Sequence, residues 1–206
     1  MFNRDGEAFK KLQQRFRRKR FRHIEAMIRR LLETRSEVKI LDAGGRAIYW
    51  RMLAPDLRSR VRITVLNYDA ELAPDDVKSG DGLRIEKVVG DACDMPQYAD
   101  GCFDIVHANS VIEHVGSYHN MIRFANEVRR VGQNYYVQTP HFWFPVDPHY
   151  GIPFFHWLPD SMRAYLFSSF RIGARSLNNM FPDGDHRPER FMLLWTKSLI
   201  VSRQGA

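Results

Sequence analysis

Polar residues follow four apolar runs of this chain, and they are the residues best suited to bind a ligand. The four runs end in Asp42-Ala43-Gly44-Gly45, Asn67-Tyr68-Asp69, Gly90-Asp91-Ala92 and Asn109-Ser110. Glycine has no Cβ, so the first of these segments lets backbone approach a ligand closely, although a tight turn alone also explains it. Asp and Asn side chains bond hydroxyl and amino groups. Four such segments in chain order favour one shared ligand site.

The elements that must position these residues are strands separated by helices and loops. The pattern predicts a short helix at Tyr49–Leu53, a long helix over 8–34 and a Ser117-capped helix through Arg130. Predicted strands are Val38–Leu41, Val61–Leu66, Leu83–Val89, Phe103–Ala108, Tyr135–Thr139 and an antiparallel closing pair, Glu189–Leu194 and Lys197–Ser202. We therefore predict an α/β fold with a doubly wound, mainly parallel seven-stranded sheet and an N-terminal helical extension. Such sheets bind ligands at the carboxyl ends of their strands.

The motifs in this order resemble those of the class I S-adenosylmethionine-dependent methyltransferases. The sequence is most similar to small bacterial members whose fourth strand runs into a segment like Ser110-Val111-Ile112-Glu113-His114-Val115. The resemblance covers residues 36–140 by motif and implies S-adenosyl-L-methionine as the cofactor. It places Asp42, Gly44 and Gly45 beside the methionine part, Asn67 or Asp69 on the ribose, Asp91 and Ala92 at the adenine, and Asn109 and His114 in the methyl-donor pocket.

Two features depart from the family pattern, the glycine turn and the residue at the ribose. Arg46 and Ile48 stand where the second and third glycines of the turn are usual, and Asn67 stands where an acid is usual. An amide still bonds a hydroxyl, and Asp69 offers a carboxylate two residues on. These departures concern donor affinity more than the fold.

A second distinctive region, residues 135–157, is rich in aromatic residues, prolines and histidines. We interpret it as an acceptor pocket or lid, with a hydrophobic flap or a homodimer contact as the alternatives. A hydroxyl acceptor benefits from a general base near neutral pKa, and His141 and His149 are the candidates for that catalytic role. Their structural alternative is a partly buried histidine bonded to backbone. The spacing of His141, Asp147, His149 and His156 matches no familiar ligand pattern, so no metal site is predicted.

The net charge of +7 belongs to one segment. Lys10–Arg30 holds ten Lys and Arg residues and one acid, Glu25, whereas the rest of the chain is slightly acidic. We therefore divide the chain into a basic helical extension, 1–35, and a methyltransferase domain, 36–206. The basic helix is interpreted as a cover helix on the sheet, with peripheral membrane attachment and RNA contact as alternatives.

Composition excludes several other classes of protein. There is no apolar run of membrane-spanning length and no secretory signal, and two cysteines are too few for a disulfide scaffold. We expect a cytoplasmic protein, with the inner face of the membrane as a site of peripheral contact.

The leading hypothesis is methyl transfer to a small-molecule or sugar/glycan-like acceptor, at oxygen. The alternatives are an RNA methyltransferase guided by the basic helix and a non-catalytic S-adenosylmethionine-binding protein with a degenerate glycine turn. Nucleic acid is the weaker partner, because Asn109-Ser110-Val111 lacks the Pro-Pro-aromatic run of amino-methylating enzymes.

Overall fold

The computed structural model describes residues 7–69, 82–141, 172–191 and 195–204. The helices are α1 (Glu7–Leu32), α2 (Pro55–Arg58), α3 (Tyr118–Val131) and α4 (Ala174–Met180), with short 3-10 helices at Ala47–Met52 and Ile112–His114. The strands are β1 (Val38–Ala43), β2 (Val61–Asn67), β3 (Arg84–Val89), β4 (Phe103–Asn109), β5 (Gly132–Pro140), β6 (Asp185–Phe191) and β7 (Trp195–Arg203).

The seven strands form one sheet in the order β3-β2-β1-β4-β5-β7-β6. Strands β1 to β5 pair parallel with one another, and β7 runs antiparallel to both β5 and β6. The order reverses between β1 and β4, which is where such sheets bind ligands. The predicted fold is confirmed, including the antiparallel closing pair.

Helix α1 packs across one face of the sheet, which we call the α1 face. Phe21, Ile24, Ile28 and Leu32 are buried against it, and their three- and four-residue spacing forms one apolar stripe. Phe21 meets the rings of Tyr49 and Trp50 edge to face, and so it is not available for membrane insertion. Most of the basic side chains between Gln14 and Arg30 point outward and are exposed.

Helix α3 packs on the opposite face, which we call the α3 face. It begins at Ser117, whose hydroxyl accepts the Asn120 N–H at 3.1 Å, as predicted for an N-cap. Phe124 and Val128 are fully buried against Val106 and Val137 of the sheet. The two faces therefore hold separate hydrophobic cores.

Strand β6 begins four residues before the predicted start at Glu189. Asp185 to Pro188 pair with β7 although they carry few apolar residues. This segment is at the edge of the sheet, so one side of the strand has no hydrogen-bonding neighbour. Proline has no N–H to donate, and Pro188 is tolerated at such an edge. Among the helices described, none is both long and apolar enough to cross a membrane.

Candidate active site

A cleft of about 560 Å³ lies at the carboxyl ends of the parallel strands. Five of the predicted cofactor residues line it, namely Gly44, Asn67, Asp91, Ala92 and His114. The predicted residues Asp42, Gly45, Asp69 and Asn109 are not among its lining residues. The strand ends thus meet as the sequence predicted, but only part of each polar segment faces the cleft.

Gly44 forms the wall of the cleft after β1. Its φ is +70°, in the left-handed region that favours glycine, and its N–H donates to the Leu66 carbonyl at 2.7 Å. A Cβ at this position would lie 2.6 Å from Val111 Cγ1, which is too close for van der Waals contact. Glycine is therefore required both for the turn and for its approach to the segment after β4.

Asp42 lies behind this turn and is fully buried. Its carboxylate accepts the Trp50 indole N–H at 2.8 Å and the His107 Nδ1–H at 2.6 Å. A Cβ on Gly45 would overlap the same carboxylate. Asp42 therefore shapes the glycine turn through hydrogen bonds and close packing instead of lining the cleft itself.

Asn67 joins the ends of β1 and β2. It is almost fully buried, and its side-chain N–H donates to the Gly45 carbonyl at 3.0 Å. The amide thereby gives a contact to the glycine turn that a carboxylate could not donate. Tyr68 follows it and is 79% exposed at the cleft, while Asp69 is exposed beyond the lining residues.

Asp91 closes the cleft after β3 through a tight turn. Its Oδ1 accepts the Cys93 N–H at 2.8 Å, and Asp94 N–H donates to its carbonyl at 3.0 Å. The Cys93 thiol contacts the Asn120 carbonyl at 3.4 Å, and burial, reinforced by Asp91, raises the pKa of this thiol to about 12. Cys93 is therefore protonated near neutral pH and serves as packing, not as a nucleophile.

Ser110 is the strained residue of the site. Its φ is +59°, where non-glycine residues are rare, and its N–H donates to the Gln138 carbonyl at 2.8 Å. The Ser110 hydroxyl lines the cleft and bonds the Gln138 side-chain oxygen at 3.2 Å. Tyr68 and Ser110 lie in the predicted polar segments but were assigned no role, and Asn120 was missed, because no local pattern marks a backbone angle or the approach of α3.

Of the two predicted general bases, the structure describes His141 only; His149 lies outside the described residues. His141 directly follows β5, next to the end of β4, and is half-buried. Burial lowers the pKa of its imidazole below the ordinary value. In the described ranges, no three His, Cys, Asp or Glu side chains converge as a metal-binding group.

The lining residues fit S-adenosyl-L-methionine. The cradle at Gly44 that a Cβ would fill suits the methionine part, and Asn67 and Asp91 offer the polar side chains that a nucleoside needs. The volume is within the range usual for cofactor sites.

Comparison with known proteins agrees with this geometry. A family model described as a methyltransferase domain matches residues 41–134. No curated protein sequence matches the chain significantly.

Solved structures with the same fold include a SAM-dependent methyltransferase from Aquifex aeolicus. It is 14% identical with a TM-score of 0.54, and the alignment covers 85% of this chain and 87% of that one. A SAM-dependent methyltransferase of Methanosarcina mazei is 14% identical (TM-score 0.51; 82% and 92% covered). A putative methyltransferase of Haloferax volcanii, solved with the Trm112 activator, is 13% identical (TM-score 0.55; 90% and 92% covered).

The domain match, the strand order and the cleft behind the glycine turn agree with one another. Residues 41–134 match a methyltransferase-domain family model, and the chain has the fold of solved SAM-dependent methyltransferases. Together these findings support an enzyme that uses S-adenosyl-L-methionine as its methyl donor.

Proposed function

We propose that the enzyme methylates an oxygen atom of a small-molecule or sugar/glycan-like acceptor. The bound donor supplies an electrophilic methyl group, and the protein has to orient the acceptor and remove its proton. Oxygen acceptors gain most from a general base, since a neutral hydroxyl is a weak nucleophile.

This proposal is supported by the position of His141 in the fold and by the protonation state of its imidazole. His141 directly follows β5 at the carboxyl edge of the sheet, three residues after Gln138, which pairs with the end of β4; the histidine is not among the lining residues of the cleft. Burial lowers its pKa, so the imidazole is neutral at physiological pH and able to accept a proton. His149 remains a second candidate from the sequence alone.

The direct test is to identify the methylated product. The enzyme is incubated with S-adenosyl-L-methionine carrying a 13C-methyl group and with a panel of phenols, sugars and amines. Release of S-adenosylhomocysteine measures turnover, and the 13C chemical shift of the product distinguishes methyl on oxygen from methyl on nitrogen or carbon. Turnover of amines alone would refute oxygen methylation.

His141→Gln tests the base. We expect kcat to fall by about 10²–10⁴-fold with an unchanged affinity for S-adenosylhomocysteine, because general bases contribute rate enhancements of that size. His119→Gln is the matched control, since His119 is an exposed histidine on α3. Equal kcat values for the two variants would exclude His141 as the base.

We further propose that the basic face of α1 holds the enzyme at an anionic membrane surface by electrostatics. Arg15, Arg18 and Arg22 are exposed on this helix, while its described apolar stripe is buried against the sheet. Sedimentation with phosphatidylserine vesicles should show binding that weakens with salt and with Glu at these three positions. Binding to RNA but not to vesicles, with a steep salt dependence, would instead favour the RNA alternative.

A further inference from the structure

A group of buried and partly buried polar side chains lies between α1 and the sheet, on the α1 face. It consists of Arg20 of α1, Tyr49 of the first 3-10 helix, Tyr136 and Gln138 of β5, and Glu189 of β6, and we call it the α1-face polar cluster. Its members are electrostatically coupled: Arg20 and Glu189 act on the hydroxyls of both Tyr49 and Tyr136. The hydrogen bonds of the cofactor site do not involve Glu189 or either tyrosine.

Glu189 is a buried carboxylate without a hydrogen-bond partner in the described residues. Its side chain is 5% exposed, and neither carboxylate oxygen has a hydrogen-bond partner among the described residues. Burying an ionised carboxylate without partners is costly, so such groups in native proteins are usually bonded to something. Glu189 therefore indicates a partner that donates hydrogen bonds.

The other members present unused donors beside this acceptor. Arg20 Nη1 donates to the Gln138 side-chain oxygen at 2.8 Å, while Arg20 Nε and Gln138 Nε2 are buried without partners in the described part of the chain. The hydroxyls of Tyr49 and Tyr136 are likewise buried without hydrogen-bond partners in the described part of the chain, and a hydroxyl can donate or accept. Burial raises the pKa of both phenols, so they are neutral.

A hydrogen bond connects the α1-face polar cluster to Ser110, a lining residue of the cleft. The Gln138 side-chain oxygen that receives Arg20 also receives the Ser110 hydroxyl, and Ser110 lines the cleft. One amide thus connects the cluster to the carboxyl end of β4.

We propose that the α1-face polar cluster binds the acceptor, and that the acceptor is a polyol such as a sugar with neighbouring hydroxyls. This inference rests on the methyltransferase function proposed above and adds the recognition chemistry. A hydroxyl both donates and accepts, so adjacent hydroxyls satisfy the Glu189 carboxylate and the Arg20 and Gln138 donors together. Glu189 also disfavours a phosphorylated acceptor, because its charge would repel the phosphate across a short distance.

The experiment measures polyol binding with the donor site filled. The full-length enzyme is saturated with S-adenosylhomocysteine, and myo-inositol, methyl glucoside and glucose 6-phosphate are titrated by saturation-transfer NMR. We expect the two neutral polyols to bind and glucose 6-phosphate to bind more weakly. Glu189→Gln should weaken polyol binding about tenfold or more, because hydrogen bonds to a charged group are lost.

Controls separate recognition from folding. Asp185→Asn changes an exposed acid on the same strand, and Arg22→Met is matched to Arg20→Met on the same helix. Both controls should keep wild-type polyol affinity, whereas Arg20→Met should lose about tenfold. All four variants should bind S-adenosylhomocysteine within twofold of wild type, and Glu189→Gln should melt at the same temperature or higher because it removes an unpaired buried charge.

Different results would contradict the methyltransferase function and the polyol site. Wild-type enzyme that does not bind S-adenosylhomocysteine would contradict the methyltransferase assignment itself. Donor-product binding without binding of either neutral polyol, preferred binding of glucose 6-phosphate, or unchanged polyol affinity in Glu189→Gln and Arg20→Met would each overturn the polyol site alone.

Discussion

The two faces of the sheet come from the same strands but carry different kinds of side chain. Strand β4 shows this best: Val106 and Ala108 enter the hydrocarbon core under α3, whereas Ile105, His107 and Asn109 point to the α1 face. Under α1, the apolar layer stops midway along the strands and polar side chains replace it toward the carboxyl ends. Because successive side chains of a strand point to opposite faces of the sheet, β4 contributes apolar side chains to one face and polar side chains to the other.

The largest effect expected from this comparison is on the α3 face. Phe124 is fully buried in its core, so Phe124→Ala should lower the free energy of unfolding by about 3–5 kcal/mol, as aromatic truncations in cores do. Urea denaturation measures it. Ile122→Ala, on the same helix at a side chain that is 40% exposed, should cost less than about 1 kcal/mol. Equal losses would mean that this face is not a packed core.

A smaller loss of stability is expected on the α1 face. Asp42→Asn weakens two buried charge-assisted hydrogen bonds, to Trp50 and His107, and should cost about 1.5–3 kcal/mol. Asp100→Asn, at a side chain that is 81% exposed, should change stability by less than about 0.5 kcal/mol. Because Gly45 packs on the Asp42 carboxylate, donor affinity should fall as well, as calorimetry with S-adenosylhomocysteine would show. Unchanged stability and affinity would remove Asp42 from the support of the turn.

The cleft between the two faces is tested by a pair of glycines. Gly44→Ala and Gly101→Ala both place a side chain at positive φ, which should cost about 1 kcal/mol of stability at each, and the contact with Val111 should add to the cost at Gly44. Only at Gly44 does the new Cβ meet a wall of the cleft, whereas at Gly101 the nearest atom is 3.6 Å away. Calorimetry should show affinity for S-adenosylhomocysteine reduced about tenfold or more in Gly44→Ala and within twofold in Gly101→Ala. Similar affinities would contradict the assignment of the cleft to the donor.

The fold and the donor cleft could be predicted from the sequence because their signals are local. Each strand end carries its own polar segment, and the parallel arrangement brings Gly44, Asn67 and Asp91 together. The true orientation of Asp42 depends on Trp50 and on His107, which is distant in the chain.

The α1-face polar cluster gives no local signal at all. Arg20 lies in a run of similar cations, and Glu189 lies in a polar edge strand near the other end of the chain. Only the packing of α1 and the pairing of β5, β7 and β6 bring both side chains near the hydroxyls of Tyr49 and Tyr136. The sequence alone could not select them from among the many exposed charges.

The smallest expected effect is an acid dependence confined to the α3 face. The Arg130 guanidinium, bonded to both oxygens of Glu127, lowers the pKa of that carboxyl, and the Met95 N–H adds a further bond. A carboxyl whose folded pKa is depressed stabilises the fold above its unfolded pKa of about 4.3, and this is lost as pH falls through the folded value.

Glu127→Gln should therefore flatten the fall in melting temperature between about pH 5 and pH 3. The Glu127 side chain is 18% exposed and its partner Arg130 is 30% exposed, so solvent still screens this ion pair and the change should be small. Glu33→Gln, at an exposed glutamate beyond α1, should keep the wild-type profile. If Glu127→Gln titrates like wild type, the carboxylate adds nothing to the α3 face, and its stability comes from hydrocarbon packing alone.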